Sequence, residues 1–200
     1  TGIEIVKELK EEGYQLIVTG EMGIGNTTTS AACAAVLFGK DAADVTGRGA
    51  GLSSEGLNRK INAIRSAIDV NKPDPKDAID VIAKVGGLDI AGMVGCYLGA
   101  AICQMPILID GFISAVSAYL ACMLNQTAKE YMIPTHCSAE PAAKMIMEKL
   151  GMEAPLHAGM HLGEGTGAIM GLSLINQALN VYYHVATFEG GHVEAYTHQV

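Results

Sequence analysis

Two hundred residues, half of them hydrophobic and 17% charged, exclude a disordered chain and suffice for one α/β domain over residues 1–200. A net charge of −8 excludes general nucleic-acid binding, which needs clustered Lys and Arg, but leaves room for one phosphate held by backbone amides. The five cysteines (Cys33, Cys96, Cys103, Cys122, Cys137) are odd in number and lack a C-x-x-C pair, so they read as reduced core residues of a cytoplasmic protein.

In chain order, residues 3–12 carry an amphipathic helical pattern that stops at Gly13, and Tyr14–Thr19 is a β-rich run that predicts a buried strand. A glycine-rich turn, Gly20–Gly25, follows, and the composition predicts a helix over Asn26–Phe38 with an Asn or Thr cap. Two further helical patterns cover 53–71 and 75–85. The uncharged run Ile90–Ile109 is long enough for a bilayer, yet Gly92, Gly95, Gly99, Gln104 and Pro106 interrupt it and acidic Asp89 and Asp110 flank it. A buried helix over 88–103 and a buried strand over Pro106–Asp110 account for it better, and no membrane partner is expected. Helices over 112–131, Glu140–Leu150 and Gly167 to about Phe188 complete the chain. This alternation predicts a layered, doubly wound, mostly parallel α/β sheet of Rossmann-like type, with helices contributing to a second small region. Ligands of such sheets bind at the carboxyl ends of strands, which directs attention to Gly20–Thr28 and Asp110–Ser114.

Three constellations carry chemistry. In Gly20–Thr29, a turn that only glycines can make opens a helix whose free amides suit a phosphate, with Asn26 and the Thr hydroxyls as added donors. It lacks the Gly-Lys-Ser/Thr ending of a Walker loop and the spacing of the dinucleotide fingerprint, and a plain strand–helix connection explains it equally well. Gly47–Leu52 followed by Arg59 and Lys60 adds cations near a second glycine loop, although a solvated helix face is the simpler account. In Leu162–Ala168, Glu164 stands between alternating glycines at the mouth of an apolar helix, a setting that suits a partly desolvated general base or a Glu placed against a helix dipole. His157, His161 and Glu164 share the spacing of one helix face, which opens a metal-hydrolase reading. The glycines at 159, 163 and 165 and the missing H-E-x-x-H pattern oppose it. His136, His184, His192 and His198 have no ligand spacing.

Six segments in order, GEMGIGNTTTSAA (20–32), VTGRGAGL (45–52), KVGGLDIAGMVG (84–95), PILIDGFIS (106–114), HCSAEP (136–141) and LGEGTGA (162–168), cover nearly the whole chain. Together they resemble the nicotinate-nucleotide:dimethylbenzimidazole phosphoribosyltransferase family of cobalamin lower-ligand synthesis. The resemblance implies phosphoribosyl transfer from nicotinate mononucleotide to an aromatic base, without cofactor or metal, in a homodimer. It implies Glu164 as the base that takes the incoming ring's N–H proton, with Glu21 beside it in the catalytic set. The phosphate is expected on Gly23, Ile24, Gly25, Asn26 and Thr27 with Lys60 as cationic partner, and Asp89, Asp110, Ser138, Gly163 and Gly165 are expected around the ribosyl group. Family members carry a large N-terminal portion that helps form the aromatic-base pocket, so these residues are expected to be the C-terminal catalytic part. A catalytically silent ribonucleotide-phosphate binding remnant is the alternative.

Overall fold

The computed structural model describes residues 1–194 and 197; His198 lies outside the described residues. Helix α1 (Gly2–Glu11) leads into β1 (Ile17–Val18), α2 (Asn26–Phe38), α3 (Ala42–Val45), α4 (Ser54–Asn71), α5 (Ala78–Val85) and α6 (Leu88–Ile102). Then come β2 (Ile107–Ile109), α7 (Phe112–Leu124), a 3-10 helix (Gln126–Tyr131), β3 (Met132–Pro134), α8 (Ala143–Leu150) and α9 (Thr166–His184). The expected α/β class is what is found. The three described strands form one parallel sheet in the order β1-β2-β3, with Ile17 opposite Ile107 and Leu108 opposite Ile133. A parallel neighbour cannot be reached by a tight hairpin, so each crossover carries helices that cover the sheet.

The uncharged run resolves into α6 and β2, as expected, and among the described residues no helix is long and apolar enough to cross a membrane. Two of its glycines, Gly95 and Gly99, serve packing. A Cβ on Gly99 would stand 2.9 Å from the Val6 side chain, and Gly95 faces Gly2 of α1, so α1 and α6 approach backbone to backbone. All three residues of β2 are buried, as a strand covered on both faces requires. Buried Tyr97 of α6 reaches the sheet through a 2.7 Å hydroxyl contact with Thr19, whose Oγ1 donates to the Leu108 carbonyl at 3.0 Å.

Several boundaries differ from the sequence reading. The strand expected at Tyr14–Thr19 is reduced to Ile17–Val18. The helix expected over 112–131 stops at Leu124, where Asn125 turns extended and its side chain accepts the Thr127 N–H at 3.0 Å, starting the 3-10 turn. Strand β3 was not expected at all. The cap of α2 is Gly25 at φ 89°, with no side-chain cap bond, rather than Asn26 or a Thr. Helices α4 and α5 do carry side-chain caps, from Ser53 and Asp77.

Candidate active site

The carboxyl ends of all three strands open on one cavity of about 700 Å³. After β1 come Glu21, Met22, Gly23, Ile24 and Thr27; after β2, Asp110 to Ser114; after β3, His136, Ser138 and Glu140. Gly49–Gly51 and Gly159–Glu164 close two further sides, with Thr166. The site therefore follows from chain direction: parallel strands deliver their following loops to the same edge.

The loop before α9 is held by four hydrogen bonds. Glu164 donates its backbone N–H to the Glu21 carbonyl at 2.7 Å. Asp110, 2% exposed, accepts from Gly165 N–H at 3.1 Å through Oδ2 and from Ala168 N–H at 3.0 Å through Oδ1. Thr166 Oγ1 donates to the Gly163 carbonyl at 2.7 Å. Gly163, Glu164 and Gly165 take φ values of 82°, 58° and 77°, three successive left-handed residues. For Glu164 that conformation is strained, a cost that clusters at functional positions. Asp110 thus caps α9, far downstream in the chain.

The Glu164 side chain is exposed at the cavity edge, so these residues do not supply the desolvation expected for it. Beneath the first turn of α9 lies His136, packed so closely that a Cβ on Gly167 would overlap its ring. Its Nδ1 is 3.9 Å from Asp110 Oδ1, and burial lowers its pKa while Asp110 opposes that shift.

Lining side chains include the carboxylates of Glu21, Asp110, Glu140 and Glu164, and among the described lining residues there is no Lys or Arg. Positive potential comes from helix N-termini. The first turns of α2 and α7 lack side-chain cap bonds and face the cavity, leaving amides free for an anion. Lys60 stands behind the wall, 7% exposed, with Nζ donating to Thr27 Oγ1 at 2.9 Å and to the Gly47 carbonyl at 3.0 Å. Gly49 covers it: a Cβ there would lie 3.7 Å from Nζ.

Of the sequence-derived residues, Glu21, Gly23, Ile24, Thr27, Asp110, Ser138, Gly163 and Glu164 line the cavity. Gly25 is exposed at the start of α2, and Gly165 is buried in the loop. Asn26 Nδ2 donates to Asp89 Oδ2 at 2.9 Å, so these two hold the glycine-rich loop to α6. His136 and Glu140, quoted in HCSAEP but given no role from sequence, both line the cavity; their signal is a polar motif just after a short apolar run. His157 and His161 lie in irregular chain before α9 rather than on a helix, and among the described residues no group of three His, Cys, Asp or Glu could hold a metal. Burial raises the thiol of Cys33 to about 12 and that of Cys122 to about 11, which removes both as nucleophiles.

Residues 1–193 match the family profile described as Phosphoribosyltransferase. The chain belongs to this family. It is 52% identical over 199 residues to the nicotinate-nucleotide–dimethylbenzimidazole phosphoribosyltransferase of Acetivibrio thermocellus, covering 100% of this chain and 57% of that one. The protein of the same name from Ruminiclostridium cellulolyticum is 52% identical over 196 residues, 98% of this chain and 56% of that one. Among solved structures, CobT from Thermus thermophilus superposes with a TM-score of 0.89 at 35% identity, covering 98% of this chain and 58% of that one. The chain thus spans a little over half the length of these relatives.

Proposed function

We propose that the protein carrying this chain transfers the phosphoribosyl group of nicotinate mononucleotide to 5,6-dimethylbenzimidazole, giving α-ribazole phosphate and nicotinate. The observation that carries this reading is the placement of Glu164 at the edge of a carboxylate-lined cavity that is also bordered by the start of α2, which has no side-chain cap. The relatives' shared name supports the substrate pair.

The chemistry suits the arrangement. The bond between the anomeric carbon and the pyridinium nitrogen breaks, and its electron pair neutralises the departing ring as nicotinate. The ribosyl carbon becomes oxocarbenium-like, and the carboxylates of Glu21 and Asp110 stabilise that positive charge. The unprotonated ring nitrogen of dimethylbenzimidazole forms the new bond on the opposite face, with inversion. Its other nitrogen gives up its N–H proton to Glu164, general-base help worth roughly 10²–10⁴ in rate. The phosphate sits on the amides of Gly23–Thr27 with Lys60 behind them, Ser138, Gly163 and Gly165 border the ribosyl group, and Asn26 and Asp89 hold the loop from α6.

A cytoplasmic homodimer is part of this reading. Helix α9 supports the association: Ile169, Leu174, Val181, Tyr182 and Tyr183 stand exposed along it, Tyr182 at 80%, more apolar surface than a solvated helix carries. The test is release of nicotinate from nicotinate mononucleotide that depends on added dimethylbenzimidazole, with a ribotide of matching mass. Binding of nicotinate mononucleotide without any base-dependent release contradicts the transferase and leaves a ribotide-binding protein.

A further inference from the structure

Lys60 is a nearly buried ammonium with no carboxylate within ion-pair distance among the described residues. Its two oxygen partners, Thr27 Oγ1 and the Gly47 carbonyl, are neutral. Burial works against its proton, and the negative charge of Glu140 works for it.

Glu140 occupies the position to do so. Its carboxylate lies against Gly47, so closely that a Cβ on Gly47 would overlap Oε2. The same Gly47 holds Lys60 through its carbonyl. Glu140 Oε2 is buried without a hydrogen-bond partner, a costly placement that needs a compensating role. Other charges near α4 are engaged or face away. Asp41 pairs with Arg65 at 2.6 Å, Asp80 with Lys84 at 2.8 Å, and Arg48 donates to the Leu52 carbonyl and Ser54. Asp44 is exposed on α3 and acts on Arg65, and the buried Cys33 thiol of α2 is held protonated.

We propose that Glu140 is a positioning residue: with Oε2 buried against Gly47, whose carbonyl holds Lys60, its carboxylate is the standing counter-charge of the Lys60 ammonium and readies it to pair with a substrate phosphate. The inference rests on the phosphate assignment above. Glu140 also repels a phosphate, so its removal has two opposed effects. While Lys60 stays charged, Glu140→Gln relieves repulsion and binding is equal or tighter. At higher pH the variant loses the Lys60 proton earlier and binds more weakly.

The experiment is calorimetric titration of the full-length protein with nicotinate mononucleotide between about pH 7 and 9.5, a range above the phosphate's second ionisation at about pH 6. The parent, Glu140→Gln, Gly47→Ala and Lys60→Met are compared. The expected result is affinity of Glu140→Gln equal to or above the parent at about pH 7 and about ten-fold below it at about pH 9.5, because Lys60 gives up its proton earlier once the neighbouring carboxylate is gone. Gly47→Ala, which displaces the carboxylate without removing its charge, moves the alkaline limb in the same direction. Parallel pH profiles for parent and Glu140→Gln, with Lys60→Met much weaker than both, overturn the role of Glu140 alone. If Lys60→Met binds as the parent does across the range, the phosphate assignment of Lys60 fails, and the inference with it.

Discussion

Glu164 is tied to Glu21 by a 2.7 Å hydrogen bond from its backbone N–H to the Glu21 carbonyl. Residues from opposite ends of the chain thus have their backbones joined at the rim of one cavity, and the loop ahead of α9 cannot shift without moving the loop after β1. This staple ties the family's last motif to its first.

Gly163 makes the staple possible. At φ 82°, a Cβ there would also stand 2.6 Å from the Glu21 carbonyl oxygen. Gly163→Ala is expected to cost roughly 1–3 kcal/mol from strain at a left-handed position. Transferase activity should fall further than stability does, because the loop carrying Glu164 is displaced. Urea unfolding alongside an activity assay checks this, and an active, stable variant would contradict it.

Asp110 spends both oxygens on the amides of Gly165 and Ala168. In Asp110→Asn, an amide N–H₂ must face one of those donors, leaving a buried N–H unpaired at a cost of about 1–3 kcal/mol. The expected kinetic signature is a large fall in kcat with a smaller change in KM, since Glu164 is mispositioned and an oxocarbenium-stabilising charge is lost. A pure KM effect would mean that Asp110 acts only in ground-state binding.

More of the candidate site's place in the fold was legible in the sequence than the contacts that each of its residues makes. Locally, the loop at Gly20–Thr28 reads equally as a plain strand–helix connection and Glu164 equally as a residue set against a helix dipole; both were legible only through the six segments standing in family order. Asp110 was legible as a site residue, but not its grip on α9, which lies far downstream in the chain. Asn26 read as a cap; it instead bonds to Asp89, because Gly25 at φ 89° starts the helix and frees the Asn side chain. Strand β3 has no sequence signature, because Met132–Pro134 is too short to show a period of two, and the place of His136 and Glu140 on the cavity wall depends on that strand. The break at Asn125 was hidden within an otherwise helical composition.

His136 makes the fold sensitive to acid. Burial holds its pKa below the ordinary 6.5, only partly opposed by Asp110. As pH falls through that ordinary value, the unfolded imidazole takes a proton that the folded one refuses, so the stability held above it is progressively lost. The urea midpoint is expected to drop between about pH 7.5 and 5.5 more for the parent than for His136→Gln. Equal drops would remove His136 from the acid response.

The most direct test of the central claim is turnover of nicotinate mononucleotide with 5,6-dimethylbenzimidazole by the parent and by Glu164→Gln, with ribotide and nicotinate quantified by mass. Product is expected from the parent, with a rate lower by about 10²–10⁴ in the variant and nicotinate mononucleotide still bound. Equal rates from the two proteins would contradict that claim, placing the proton of the incoming base on some other group.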